Sequence, residues 1–179
     1  MIRFLKPLFD QKPRQVFILT FATCVALLAY GMYLQHGLGL EPCPMCVVQR
    51  YGFVLIGLVA LAAAVSHPKT PRFTVGDYAA AVLIVVFAGL GAFTAARQSW
   101  LQWYPPEIAS CGRDIYGMVE NFPLQRAIPM IFKGSGDCTK VDWTFLGGSI
   151  ANWSFVCFVG VMAGFVVLML RQRRVGSLA

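Results

Sequence analysis

Apolar positions along this chain gather into four long runs: Val16 to Leu34, Val47 to Val65, Tyr78 to about Ala96, and Trp153 to Leu170. A helix needs about 20 residues to cross a hydrocarbon core of about 30 Å, and each run is close to that length. The pattern predicts an all-α fold, an integral membrane four-helix bundle forming one domain over residues 1–179. Gly57, Ala60, Gly89, Gly91, Gly160 and Gly164 put small residues inside the runs, where they let helices approach closely. Tyr30, Tyr33, Trp100, Trp103, Tyr104, Trp143 and Trp153 stand near the run ends, as side chains suited to the membrane–water interface do. The first run is longer than the apolar part of a secretory signal, and no small-x-small cleavage site closes it. Phe21-Ala22-Thr23 also makes a poor lipoprotein cut ahead of Cys24. This run is expected to stay as a span.

Composition agrees. Of 179 residues, 58% are apolar and 13% charged, with a mean hydropathy of +0.65; soluble domains carry about twice that share of charge. The net charge of +7 would suit a nucleic-acid partner if it were clustered for one, but its distribution points elsewhere. Arg3, Lys6, Lys12 and Arg14 precede the first run, Lys69 and Arg72 separate the second from the third, and Arg171, Arg173 and Arg174 follow the fourth. Only Asp10 and Asp77 oppose them. Basic residues mark the cytoplasmic side of a membrane, so both termini are expected inside. The loops at about 35–46 and 97–152 then lie outside.

The second outer loop is too long for an idle connection. Within it, residues 124–132 are apolar yet too short to span and are interrupted by Pro129, so a short interfacial helix is expected there. Gly134-Ser135-Gly136 supplies a flexible joint just before Cys138.

Four of the six cysteines fall in these outer loops: Cys43 and Cys46 in the first, Cys111 and Cys138 in the second. The space outside such a membrane is oxidising, so disulfides persist there. Cys24 and Cys157 lie within spans, where a cysteine packs as a small apolar side chain. The first outer pair sits in the stretch Glu41-Pro42-Cys43-Pro44-Met45-Cys46-Val47-Val48-Gln49-Arg50. Pro44 is pre-shaped for the first position of a helix, which leaves Cys46 in the first turn. Unpaired N–H groups at a helix start favour an anion and lower thiol pKa values. Arg50 follows Cys46 by four residues, on the same helical face. An arginine inside an apolar span is costly unless it snorkels or serves a charge. Beside Cys46, stabilisation of a thiolate is the stronger reading.

Several chemistries compete for these sulfurs. A thioredoxin-like Cys-x-x-Cys would follow a strand in a βαβ unit, and no such pattern is present. Zinc would suit Cys43 and Cys46, but Cys111 and Cys138 are too widely separated for the other half of a site. Two structural disulfides remain open. So does a relay by disulfide exchange, in which the widely spaced pair meets a soluble dithiol and the pair fixed at the helix start passes electrons to a lipid-soluble acceptor.

Together these features resemble the DsbB family of bacterial inner-membrane disulfide bond formation proteins. The resemblance rests on Pro42-Cys43-Pro44-Met45-Cys46 with Arg50, on Cys111, and on Gly134-Ser135-Gly136-Asp137-Cys138. Leu101-Gln102-Trp103-Tyr104-Pro105 after the third run and Trp143-Thr144-Phe145-Leu146-Gly147 before the fourth extend it over essentially the whole chain. It implies a protein-dithiol:quinone oxidoreductase whose partners are a DsbA-type periplasmic thiol oxidase and the membrane quinone pool, with ubiquinone as acceptor and menaquinone the alternative. In that family's scheme Cys111 would be attacked by the partner, and Cys138, released, would engage Cys43. Cys46 would be left as a thiolate facing the quinone with help from Arg50. Gln102 matches a polar residue near the family's quinone site. Gln98 stands one turn earlier, where some members carry histidine, and would offer the quinone oxygen a hydrogen bond instead. Two neighbouring readings are a specialised relative serving one dedicated partner, and a non-catalytic membrane protein stapled by disulfides.

The topology is open to direct test. In a background without native cysteines, Leu38→Cys is expected to react with a membrane-impermeant maleimide only from the outer side, and Ser177→Cys only from the inner side. The reverse sidedness would overturn every assignment made to the outer loops.

Overall fold

The computed structural model describes residues 13–67, 73–105 and 138–176. Cys111, residues 124–132 and the Gly134-Ser135-Gly136 joint, each singled out above, lie outside the described residues. Four helices run through the rest: α1 (Pro13–Gly37), α2 (Pro44–Ser66), α3 (Val75–Trp103) and α4 (Ile150–Gly176). Each contains one of the expected apolar runs, and all four are long and apolar enough to cross a membrane. They extend past the runs because helical backbone continues through the interfacial residues on either side. A small hairpin, β1 (Thr144–Phe145) and β2 (Gly148–Ser149), precedes α4. Its two connecting residues, Leu146 and Gly147, both have positive φ, 49° and 79°. That is the backbone of a tight two-residue hairpin turn.

Local chemistry sets the helix ends. α2 opens with Pro44 at its first position and Cys43 as N-cap. α3 opens with a capping box. The Thr74 hydroxyl accepts from the Asp77 amide at 3.3 Å, and the Asp77 carboxylate accepts from the Thr74 amide at 2.7 Å. The same carboxylate oxygen lies 2.8 Å from Nδ1 of His67, the C-cap of α2. A buried carboxylate needs several partners to offset its lost hydration. Here those partners come from both ends of the α2–α3 connection and tie the two helices together.

The bundle packs α1 on α2, α2 on α3 and α3 on α4. Its core holds Phe17, Ile56, Ile84, Phe158 and a ladder of alanines at Ala60, Ala81, Ala88, Ala92 and Ala95. Phe53 and Phe158 stack with ring centroids 4.1 Å apart. Phe17 against Phe165 closes the α1–α4 seam toward the cytoplasmic end. Tyr33, Trp100, Trp103 and Tyr104 are well exposed near the opposite end, consistent with an interfacial belt.

The glycines divide into two groups. A Cβ on Gly91 would stand 2.4 Å from the Phe158 ring, and one on Gly52 would stand 3.2 Å from it. These two glycines make room for the ring that joins α2, α3 and α4. Gly57 packs against Cys24. Among the described residues nothing lies within 4 Å of a Cβ on Gly160 or Gly164, so the expectation that they bring helices close together does not hold there. Gly160 is exposed and Gly164 half-buried.

Gly91→Ala is therefore expected to lower stability by about 1–3 kcal/mol through overpacking, read as a drop in Tm in detergent. Gly160→Ala, which meets open space, should leave Tm unchanged or slightly raised. Equal behaviour of the two variants would contradict the packing described.

Candidate functional site

The start of α2 holds the sulfur chemistry. With Pro44 fixing the first helical residue, Cys43 adopts the extended backbone of an N-cap, and its Sγ accepts a hydrogen bond from the Cys46 amide at 3.3 Å. Serine, threonine and aspartate usually do this with oxygen; here a sulfur does it. The Sγ atoms of Cys43 and Cys46, both free thiols, lie 2.8 Å apart. Cys138, from the segment before the hairpin, is buried in the same small cluster with Cys43 and Met45, and Leu101 packs on its edge. Three of the four outer cysteines are therefore in one place. Cys43 is the middle member. Hydrogen bonding to Cys138, then to Cys46, then burial push its thiol pKa well up. The two sulfur neighbours and burial thus favour the neutral thiol at Cys43.

Gln98 of α3 faces this cluster. Its Nε2 donates to Cys43 Sγ at 3.3 Å and to Cys46 Sγ at 3.2 Å. Its Oε1 accepts from Nε2 of Gln49 at 2.7 Å. Both glutamines are only 3% exposed.

Arg50 stands one turn beyond Cys46, and its guanidinium reaches sideways to α1. Nη1 donates to Gln35 Oε1 and touches Met32 Sδ, and Nη2 donates to the Gly31 carbonyl at 3.3 Å. The expected partnership with Cys46 thus takes a through-space form: the guanidinium charge acts on Cys46 and Cys43 while α1 holds it in place. Gly31 lies against the guanidinium, with space for a Cβ at about 3.8 Å.

Gln102 is engaged on two sides. Its Oε1 accepts from Ser149 Oγ at 2.6 Å, and its Nε2 donates to the Lys140 carbonyl at 3.5 Å. This side chain clamps the segment that carries Cys138 to the end of α3. The hairpin is clamped as well: Trp153 Nε1 donates to the Phe145 carbonyl at 3.0 Å, and a Cβ on Gly148 would fall 2.9 Å from that indole nitrogen.

A cavity of about 390 Å³ opens beside the sulfurs. Leu27, Leu28 and Leu34 of α1 form one wall and Trp153 and Cys157 of α4 the other, with Phe53 behind them. Cys43, Cys46, Gln49, Arg50, Gln98 and Gln102 supply its polar end. Mostly apolar walls with a few convergent polar groups are typical of a small-molecule site. Cys24 stays in the core, whereas Cys157 faces the cavity.

Of the residues proposed from sequence, Cys43, Cys46, Arg50, Gln98 and Gln102 converge on one cavity end, and Cys138 packs against Cys43 beside it; Cys111 is outside the described residues. Gln49, Gln35 and Ser149 were not anticipated. Gln49 carried a legible signal, a polar residue in an apolar run beside Arg50 and three residues from Cys46. Gln35 and Ser149 carried none, because each matters only through a partner distant in sequence.

Comparison with known proteins places this arrangement. The family model for "Disulfide bond formation protein DsbB" matches residues 13–168. A "Disulfide bond formation protein B" from Polaromonas sp. (strain JS666 / ATCC BAA-500) is 61% identical over 166 residues, covering 93% of this chain and 96% of that one. Proteins of the same name from Paracidovorax citrulli (strain AAC00-1) and Aromatoleum aromaticum (strain DSM 19018 / LMG 30748 / EbN1) are 58% and 52% identical. They cover 92% and 94% of this chain, and 91% and 98% of their own lengths. With its four spans, its sulfur cluster at the start of α2 and a match over most of its length, the chain belongs to the DsbB family.

Proposed function

We infer that this chain is a multi-pass inner-membrane protein-dithiol:quinone oxidoreductase, which reoxidises a DsbA-type periplasmic thiol oxidase and passes the electrons through its cysteines to a membrane quinone. The observation that carries the site assignment is the gathering of Cys43, Cys46 and Cys138 in one cluster, of which Cys43 and Cys46 line the polar end of a cavity between α1 and α4. Three sulfurs in one cluster exceed what a single staple uses, and they suit exchange. A bond from Cys138 to Cys43 frees Cys46, and a bond from Cys43 to Cys46 frees Cys138.

The proposed sequence begins with the partner's thiolate attacking Cys111, forming a mixed disulfide and releasing Cys138. Cys138 then attacks Cys43, breaking its bond to Cys46. The sulfur set free is Cys46. It faces the Gln98 amide and the field of Arg50, both of which favour an anion. Quinone, when bound, accepts two electrons and two protons and leaves as quinol. The two electrons equal those lost by the partner's two thiols as they become a disulfide. The partner's second thiol attacks the mixed disulfide, which leaves the partner oxidised and frees Cys111. Cys111 then attacks Cys138, which frees Cys43, and the Cys43–Cys46 bond forms as the two electrons of that pair pass to the quinone, restoring both pairs.

The cavity fits such an acceptor. Its volume lies in the range that takes a substituted ring, and its walls are mostly apolar. Arg50, Gln98 and Cys46 would face the ring, and the leucines of α1 would line the path of an apolar tail. Gln102, proposed to contact the quinone, also positions the Cys138 segment. Ubiquinone is the proposed species and menaquinone the alternative; turnover with each would separate them.

Two outcomes are expected. With reduced DsbA-type donor and quinone, Cys46→Ser should abolish quinone reduction, along with any visible absorbance that develops on mixing the wild-type protein with quinone. Undiminished turnover would rule the relay out. Arg50→Ala should cut quinone-dependent turnover about 10–100-fold, the weight of a charge-assisted contact. Mixed-disulfide formation with the donor should change little in this variant, and equal loss of both would count against the proposed role of the guanidinium.

A further inference from the structure

Gln49 touches neither sulfur in the contacts described, yet it is buried in an apolar span where an amide is costly unless it is well paired. Its Nε2 donates to Gln98 Oε1 at 2.7 Å, the shortest contact in the chain of amides that ends on the cysteines. Gln98 has a carbonyl oxygen that only accepts and an NH₂ that only donates. Either end fits the same space. With NH₂ toward the cluster, as found, Gln98 offers one N–H to Cys43 and one to Cys46. Turned over, it would aim its oxygen at both sulfurs and repel an anion there. The sulfurs alone do not fix this orientation, because a protonated thiol would donate to the oxygen. In the arrangement found, Gln49 presents a donor to the far side, which matches the Gln98 oxygen and favours this orientation.

We propose that Gln49 is a positioning residue for the sulfur centre, acting through Gln98 to keep amide N–H groups, rather than a carbonyl, against Cys43 and Cys46. This rests on the reading of Cys46 as the sulfur that becomes charged. Neither amide gains or loses a proton near neutral pH, so the support they give an anion does not titrate away. A histidine in the place of Gln98 would change charge in that range.

The test reads the pH dependence of Cys46 alkylation in reduced protein, with the modified cysteine identified by mass spectrometry. Gln49→Glu replaces the donor with an acceptor and forces Gln98 to turn; Gln49→Met removes the donor at similar volume and carries the test should the first variant fail to fold. Both should slow Cys46 alkylation at pH 7 about tenfold, the worth of one charge-assisted hydrogen bond, and move its pH midpoint upward. Gln98→Met should do the same, and Gln49→Met combined with Gln98→Met should add nothing further, as expected for two residues acting in series. An unchanged midpoint accompanied only by a lower Tm would overturn the proposal, and so would additive effects. Failure of the relay itself is separate, because it would show as an active Cys46→Ser enzyme whatever the Gln49 variants do.

Discussion

Everything at the outer end of this bundle depends on a helix that begins on a sulfur. Pro44 has no N–H to lose and a fixed φ suited to the first turn, so the helix starts at one residue and no other. That start makes Cys43 the cap and sets Cys46 three residues on, close enough for their sulfurs to touch. A redox pair on a loop would sample many separations. Here the backbone of α2 holds the pair at one separation and aims it at α3.

The rest of the bundle keeps that geometry in a solvent that gives no help to stray polar groups. Four polar side chains near the sulfurs have partners: Gln49 is held by Gln98, Gln98 by the cysteines, Arg50 by α1, and Gln102 by Ser149 and Lys140. Unpaired, each would cost a few kcal/mol in such surroundings, so the network tends to be made whole or not at all. At the opposite end, His67 and Thr74 serve Asp77 in the same manner. Between these two polar ends the contacts are apolar, with Phe158 seated on Gly52 and Gly91 as the tightest.

Much of this was legible beforehand. The four spans and their sidedness follow from run length and the placement of lysine and arginine, which are local properties. The start of α2 was legible too, because Pro44 and the cysteine spacing act within one turn. What escaped was pairwise and distant. The direction taken by the Arg50 side chain depends on Gln35 and Gly31, and nothing in the run around Arg50 names them. The separation of Gly91 from Gly160 depends on which face each helix turns to its neighbours, and in an apolar-all-round span no polar stripe marks that face. The hairpin before α4 is too short to produce an alternating pattern, although Gly147-Gly148 marks a turn.

The hold of α1 on Arg50 has a mechanical corollary. The helix that fastens the guanidinium is also one wall of the cavity, with α4 facing it. A shift of α1 against α2 would therefore change the width of the cavity and the place of the positive charge beside Cys46 together, so the two cannot be adjusted independently.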